Sequence, residues 1–303
     1  MYDCLIIGGG PAGLTSAVYL RRAEKSVLLI EKATFGGQIT HSPRVENYPG
    51  FVTASGNEIA DKFLEQAMSQ GADIELDEIT GIEKKDSSFV LKGARGEYEG
   101  RSVIIATGSR HRKLGLENED KFTGEGISYC AVCDGAFYKD TDVAIVGGGN
   151  SALQEAILLA KTSKSVTMIQ NLPVLTGETR LINEVNSTEN IKVILSHVVS
   201  GIIGDDKFEG IEIENTESGE KQKLHFDGVF VAIGQQPENE CFKDSVKLNG
   251  YGYIISDESC IPEGEKGIFT AGDCRTKSVR QVATAVSDGA VAAINVCRYL
   301  DSI

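Results

Sequence analysis

Positive charge is what this chain lacks. Against 44 Asp and Glu it sets 30 Lys and Arg, a formal net charge of −14 over 303 residues. With no basic tail and no low-complexity segment, that deficit argues against nucleic acid or an anionic membrane as the main partner. Uninterrupted apolar runs are missing too. The stretch from Leu5 to Leu20 is broken by glycines and a proline and has no basic region before it. It reads as neither signal peptide nor membrane span, so the cytoplasm is the expected compartment. Cysteine is sparse and odd in number, seven, and only Cys130 and Cys133 lie close in sequence. That disfavours a secreted disulfide framework and favours an intracellular redox pair. No second cysteine pair or Cys–His cluster is present to complete a four-ligand zinc site, so no metal is expected. Cys4, Cys241, Cys260, Cys274 and Cys297 read as buried small hydrophobes or bystanders.

What the chain does have is length for two domains, with an ordinary globular composition of 41% hydrophobic and 24% charged residues. It also contains an internal repeat that aligns without a gap. Asp3-Cys-Leu-Ile-Ile-Gly8 corresponds to Asp142-Val-Ala-Ile-Val-Gly147, Leu14, Ala17 and Leu20 to Leu153, Ala156 and Leu159, and Lys25-Ser26-Val27 to Lys164-Ser165-Val166. Each copy predicts an apolar strand, a glycine turn, a helix with three- and four-residue apolar spacing, and a second strand over 27–30 or 166–169. This is the βαβ dinucleotide unit, present twice. In the first copy Gly8 suits the tight turn, Gly10 the approach of a pyrophosphate and Gly13 close helix–strand packing, where Ala152 stands in the second. Pro11 and Ala12 open a helix whose free N–H groups and dipole favour a diphosphate.

The two copies end differently. Glu31 follows the first repeat's second strand, where an acidic side chain takes ribose hydroxyls. Gln170, Asn171 and Leu172 follow the other, offering neither a carboxylate for NAD nor a cation for the 2′-phosphate of NADP; Gln170 reads equally as a polar strand end. Further strands ending in glycine run through Val103-Ile104-Ile105-Ala106-Thr107-Gly108 and Val229-Phe230-Val231-Ala232-Ile233-Gly234, and Ile268-Phe269-Thr270-Ala271-Gly272-Asp273 ends in a carboxylate. The expected fold is α/β, with two Rossmann-like, three-layer dinucleotide domains, the second inserted in the first. Residues 1–112 and 241–303 form one domain and 113–240 the other, with linkers near 109–115 and 235–240.

Ahead of the second glycine turn stands Cys130-Ala-Val-Cys133-Asp134-Gly135. Only a thiolate attacks a disulfide, and a vicinal CxxC partner resolves the mixed disulfide within the same chain. Asp134 supplies a proton carrier beside a thiolate that must be protonated and released in turn. With residues 8–13, Gly36-Gly37-Gln38, the 45–50 segment Val-Glu-Asn-Tyr-Pro-Gly, Ala106-Thr107-Gly108, Ala271-Gly272-Asp273 and Arg280-Gln281, the chain resembles the low-molecular-weight flavin thioredoxin reductases over its whole length. The resemblance implies FAD in the discontinuous first domain. Gly37, Gln38 and Asn47 would lie along it, Asp273 would hold the ribitol, and Arg280, Gln281 and Ala283 would sit near the isoalloxazine. It further implies that Cys133 exchanges electrons with the flavin, Cys130 attacks thioredoxin and Asp134 handles the proton. Homodimers are common among such relatives.

The pattern departs where NADPH-dependent members carry a His-Arg-Arg-x-x-x-Arg run. Here the positions hold Gln170, Asn171, Leu172 and Thr176, and Gln235-Gln236 replaces a His-containing run. These losses resemble the subgroup that takes electrons from reduced ferredoxin. A flavin accepts electrons singly, whereas a nicotinamide delivers only hydride. Acidic ferredoxins would need a local basic face on this acidic chain. Arg21-Arg22-Lys25 and Arg110-His111-Arg112-Lys113 are the candidates, with His41 and Arg44 as outliers. NADH or NADPH as donor, and an FAD-dependent dithiol oxidase, remain the alternatives.

Overall fold

The computed structural model describes residues 1–42 and 44–303. It divides into two units, Met1–Arg110 with Gln236–Ile303, and His111–Gln235. The first unit opens with β1 (Tyr2–Ile7), α1 (Pro11–Arg22), β2 (Val27–Glu31), α2 (Gly56–Ser69), β3 (Asp73–Leu76), β4 (Ile79–Lys84), β5 (Phe89–Gly93) and β6 (Glu97–Ile105), and β7 (Ser109–His111) leads out of it. The second unit holds α3 (Glu119–Phe122), β8 (Ile127–Ser128), α4 (Ala131–Asp134), β9 (Asp142–Val146), α5 (Asn150–Ala160) and β10 (Ser165–Ile169). It continues with α6 (Thr179–Ser187), β11 (Ile191–Ile194), β12 (His197–Ile203), β13 (Gly210–Asn215), β14 (Lys221–His225) and β15 (Gly228–Val231). The return strand is β16 (Gln235–Pro237), and β17 (Ile268–Thr270) and α7 (Val282–Leu300) complete the first unit.

The repeat is obeyed to the residue. β1 pairs with β2 in parallel from Cys4↔Val27 to Ile7↔Ile30, and β9 with β10 from Val143↔Val166 to Val146↔Ile169, the same register at the same offset. The turn bonds repeat as well. Gly8 N donates to Ile30 O and Gly147 N to Ile169 O, both at 2.8 Å, and Leu14 N to Gly10 O and Leu153 N to Gly149 O, both at 3.0 Å. The parallel strands of the first unit run β3-β2-β1-β6-β17, with β5 and β4 continuing the sheet antiparallel from the first half of β6. The second unit orders its parallel strands β11-β10-β9-β15-β8, beside a separate β12-β13-β14 meander.

Both faces of each parallel sheet are apolar, because both are covered. From β1, Cys4 and Ile6 join Leu14, Leu20, Ala292 and Val296 of α1 and α7, while Leu5 and Ile7 join Phe89, Leu91 and Ile254 on the other side. In the second unit Val143 and Ile145 meet Leu153 and Val185, and Ala144 and Val146 meet Ile211 and Ile213. Helix, sheet and meander are the three layers. Burying each large side chain here contributes roughly 1.5–3 kcal/mol.

Unit boundaries fall before 111 and after 235, a few residues ahead of the 112/113 and 240/241 limits read from sequence. Both boundaries fall within β7 and β16, which pair as a two-stranded ribbon, whereas composition alone marks these segments as linkers. Among the described residues no helix is long and apolar enough to cross a membrane.

Gly8 carries φ +108, and a Cβ on Gly13 would stand 1.9 Å from the Gly8 carbonyl oxygen. That obstacle is backbone and has no rotamer to yield. Gly13→Ala is therefore expected to push α1 off β1 and to destabilise the first unit by about 3 kcal/mol, read as a lowered midpoint in urea. The second copy holds Ala152 at the matching position, fully buried against its sheet.

Candidate active site

Cys130 and Cys133 are joined as a disulfide, with their Cα atoms 5.3 Å apart. Cys130 caps the single turn α4, so Cys133 N donates to Cys130 Sγ at 3.2 Å and Asp134 N to Cys130 O at 3.0 Å. Neither sulfur-bearing residue is fully buried, and Val132 between them is 58% exposed. Ser128 connects the pair to the acid: its hydroxyl donates to Asp134 Oδ2 at 2.6 Å and accepts from Cys130 N at 3.1 Å. Burial pushes the Asp134 carboxyl above its ordinary range, against the Ser128 bond that favours the ionised form. A carboxyl raised in this way keeps a proton more readily than an exposed one and can pass it to a thiolate. The predicted cysteine–aspartate cluster is thus assembled.

In the first unit the glycine turn is open where a ligand's phosphate would lie. A Cβ on Gly10 would meet nothing within 4 Å. Gly10 also caps α1 without a side-chain acceptor, which leaves the helix's first N–H groups for an anion. Pro11 and Ala12 follow as the first helical residues, and Gly37, at φ +63, lies against Gly10. Glu31 sits at the end of β2, where its carboxylate accepts from Gly9 N at 2.7 Å and Ala33 N at 2.9 Å. It lines a cavity of about 370 Å³ that begins at Gly8 and reaches Asp77, Ile79 and Cys241. Cys241 is therefore an exposed wall of that cavity, unlike Cys4, Cys260 and Cys274, which are buried as expected.

The remaining predicted residues gather around the turn Gly272–Cys274 and the start of α7. Asp273 Oδ1 and Arg280 Nε are both buried without a hydrogen-bond partner. Burial raises the Asp273 carboxyl, while Lys277 and Arg280 oppose it. The Arg280 guanidinium lies 4.3 Å over the Tyr253 ring, and Asn47 Nδ2 donates to Gln281 Oε1 at 3.3 Å. Gln38 lies in the short turn Gly37–His41, and Ala283 is exposed in the first turn of α7. An orphaned carboxylate oxygen and an orphaned guanidinium N–H are what a hydroxyl-rich, hydrogen-bonding cofactor leaves behind, so these residues fit FAD.

Sequence reasoning missed the cluster beneath them. Asp288 of α7 accepts from Arg275 Nε and Nη2 at 2.8 Å, Lys277 Nζ at 2.9 Å and Gly272 N at 2.9 Å. Arg275 is 1% exposed. Burial disfavours the Asp288 carboxylate, but Arg275 and Lys277 outweigh it and hold the group below its usual range. This buried network fixes the turn that presents Asp273. Its only sequence signal is an acidic residue at a core-facing position of an apolar helix.

The second glycine turn is occupied differently. Gln170 is 5% exposed and lies on Gly148, where a Cβ would come 2.5 Å from its Cδ. Its Nε2 donates to Val174 O at 3.3 Å. Thr176 N donates to Gly148 O at 2.8 Å, and Glu178 N to Asn150 Oδ1 at 2.7 Å. The segment after β10 thus folds back onto the turn and carries no cation there. The expected basic clusters are largely neutralised. Arg21 binds the carbonyls of Gln70 and Lys25, Lys25 pairs with Asp301, Arg44 with Glu46, Arg110 with Glu238 and Lys113 with Asp120. His111 stacks near Tyr129, 5.6 Å between ring centres. Arg22 and Arg112 are exposed and form no ion pair among the described residues.

Comparisons with known proteins follow this geometry. The family model for pyridine nucleotide-disulphide oxidoreductases matches residues 2–289. The thioredoxin reductase of Bacillus subtilis is 38% identical over 304 residues, covering 100% of this chain and 96% of that protein. A Clostridium pasteurianum protein described as a 34.2 kDa protein in a rubredoxin operon is 42% identical over 301 residues, 98% of this chain and 97% of its own length. The crystal structure of thioredoxin reductase from Streptococcus pyogenes superposes with a TM-score of 0.95 at 39% identity, covering 100% of this chain and 99% of that one.

Proposed function

The chain belongs to the pyridine nucleotide-disulphide oxidoreductase family, as an FAD-dependent disulfide oxidoreductase of thioredoxin reductase type, and from that premise we propose roles for its residues and a donor for its electrons. Bound FAD supplies a carrier that takes electrons singly or in pairs and holds them for the disulfide. The first unit is its domain. Gly8, Gly10, Pro11, Ala12 and Gly13 would cradle its diphosphate, Glu31 the adenosine ribose, Asp273 the ribitol, and Gly37, Gln38, Asn47, Arg280, Gln281 and Ala283 its remaining length. The orphaned Asp273 Oδ1 carries this reading. Asp273→Asn preserves shape but removes a charge-assisted acceptor worth roughly 1.5–3 kcal/mol. FAD affinity is expected to fall about ten- to a hundredfold, measured by flavin fluorescence on titration of the apoprotein. Unchanged affinity would detach Asp273 from the cofactor.

Cys133 would receive the electrons, Cys130 would attack the disulfide of thioredoxin, and Asp134 would handle the proton. The exposed Val132 gives the pair an apolar rim suited to a protein substrate. Reduced ferredoxin rather than NADPH is the donor we favour, because the segment after β10 turns Gln170 inward and presents no cation. Within the basic clusters read from sequence, Arg22 and Arg112 form no ion pair among the described residues and are left to meet an acidic partner. NADH, NADPH and oxidation of a small dithiol at oxygen are the competing readings. Thioredoxin reduction assayed separately with reduced ferredoxin, NADPH and NADH decides among the donors, and efficient oxygen consumption with a dithiol alone would favour the oxidase. The five free cysteines suit the reducing cytoplasm. A homodimer is expected from the resemblance, checked by sedimentation.

A further inference from the structure

We propose that Glu155 is a second proton carrier of the redox disulfide, serving Cys130 as Asp134 serves Cys133. The inference rests on the proposed roles of the two cysteines and adds a group that the CxxC-Asp motif does not contain. Glu155 lies on α5, the helix that packs on α4, and its Oε2 is 3.4 Å from the backbone N of Ala131, the residue after Cys130. Asp134, the residue after Cys133, places its carboxylate instead on the Ser128 hydroxyl at 2.6 Å. Among the described residues one long bond to a backbone N–H is all the Glu155 carboxylate receives, and no cation compensates it. Burial pushes its pKa up to about 7, and only the Ala131 N–H opposes that.

The surroundings leave Glu155 no other ionic partner. From α4 come Cys130, Cys133 and Asp134, and from the turn after it Tyr138, whose hydroxyl is itself raised by burial and by Asp134. From α6 come Arg180 and Glu184, both exposed. The strands beneath α5 bring Asp142, paired with Lys164 at 2.7 Å, and the exposed Lys192. A structural carboxylate would be placed where a cation or several N–H donors stabilise its charge, as Asp288 is. Glu155 is placed where burial favours its protonated form.

The chemistry has a use for a second such group. Reduction breaks the Cys130–Cys133 bond with two electrons, and the two thiolates formed call for two protons. Asp134 gives one to Cys133, and Glu155 gives the other to Cys130. When thioredoxin arrives, Glu155 withdraws the proton from Cys130, and the thiolate attacks one sulfur of the thioredoxin disulfide. The first thioredoxin sulfur leaves as a thiolate and takes the proton from Glu155. Asp134 then withdraws the Cys133 proton, and the Cys133 thiolate attacks the Cys130 sulfur of the mixed disulfide. This re-forms the enzyme disulfide and releases the second thioredoxin thiolate, which takes the proton from Asp134. The two protons leave with the thioredoxin dithiol, so atoms and charge balance.

The test uses the full-length holoenzyme with Glu155→Gln, which keeps an oxygen to accept from Ala131 N but cannot titrate. Rates of iodoacetamide alkylation at Cys130 in the reduced enzyme, followed by peptide mass across pH 5–9, should show a step near pH 7 in the wild type that Glu155→Gln lacks. Thioredoxin reduction at pH 7 should fall at least about tenfold, with Glu155→Asp partly restoring it and the flavin spectrum unchanged. An unaltered alkylation profile together with wild-type turnover in Glu155→Gln would overturn the inference. Cys130→Ser, run alongside, separates the two readings: if it too turns over, the disulfide roles fail, whereas if it is dead and Glu155→Gln is normal, only the role of Glu155 fails.

Discussion

Replacing either Cys130 or Cys133 by Ser is expected to lower thioredoxin reduction by on the order of a thousandfold or more, because a hydroxyl neither attacks a disulfide at neutral pH nor forms one. The fold should tolerate both changes. Each side chain is only partly buried, and a serine at 130 still offers an acceptor to Cys133 N, which now donates to the sulfur at 3.2 Å. The bridge closes a loop with a sequence separation of just 3, so little unfolded-state entropy is lost with it. On the proposed assignment FAD would be held by the other unit and should stay bound, visible in the absorption spectrum. The two variants should nevertheless differ. With Cys133 gone, a reduced Cys130 can attack thioredoxin but the mixed disulfide has no resolving thiol on the enzyme, so a covalent complex should accumulate on a non-reducing gel. Cys130→Ser should give none. A complex formed through Cys133 instead would reverse the assigned order, and retained turnover in either variant would remove the disulfide from the mechanism.

Much of the architecture that supports this chemistry is local, which is why it was legible in the amino-acid order. Gly8 and Gly147 must adopt positive φ, each stands between a continuous apolar strand and a helix, and an identical offset gives an identical register. The cysteine pair is likewise contained in one turn. The features that escaped are made by distant residues. Asp288 reads as an ordinary polar break in α7, and only folding brings Arg275, Lys277 and Gly272 onto it. Glu155 reads as the solvent side of an amphipathic helix until α4 packs over it. The basic clusters erred in the other direction. Charges adjacent in sequence suggested a docking face, but carboxylates from remote segments, Asp301 on Lys25 and Glu238 on Arg110, cancel much of it. Sequence proximity speaks for turns and strands; it is silent on what neutralises a charge.

The donor prediction follows from that same distinction between what a turn can hold and what reads the nucleotide. NADPH should support thioredoxin reduction poorly, with a KM in the millimolar range or above, while reduced ferredoxin should sustain it. The second glycine turn retains its geometry, so a pyrophosphate alone would find N–H donors at the start of α5. The 2′-phosphate would find Gln170 turned inward onto Gly148, Asn171 and Leu172 in place of guanidinium groups, and Thr176 bonded to Gly148 O. Each missing charge-assisted contact is worth roughly 1.5–3 kcal/mol. Three of them, even with incomplete additivity, amount to at least about a thousandfold in affinity. NADH gains nothing, since Gln170 offers no ionised carboxylate to the ribose hydroxyls. Ferredoxin-driven turnover should weaken as salt is raised, because an acidic partner meets this acidic chain only through local cations such as Arg22 and Arg112. Installing Asn171→Arg, Leu172→Arg and Thr176→Arg together should raise kcat/KM for NADPH by at least about tenfold and leave the ferredoxin rate unchanged. A wild-type KM for NADPH in the micromolar range would show that the inward-turned Gln170 segment does not exclude the nucleotide, and the ferredoxin assignment would fall with it.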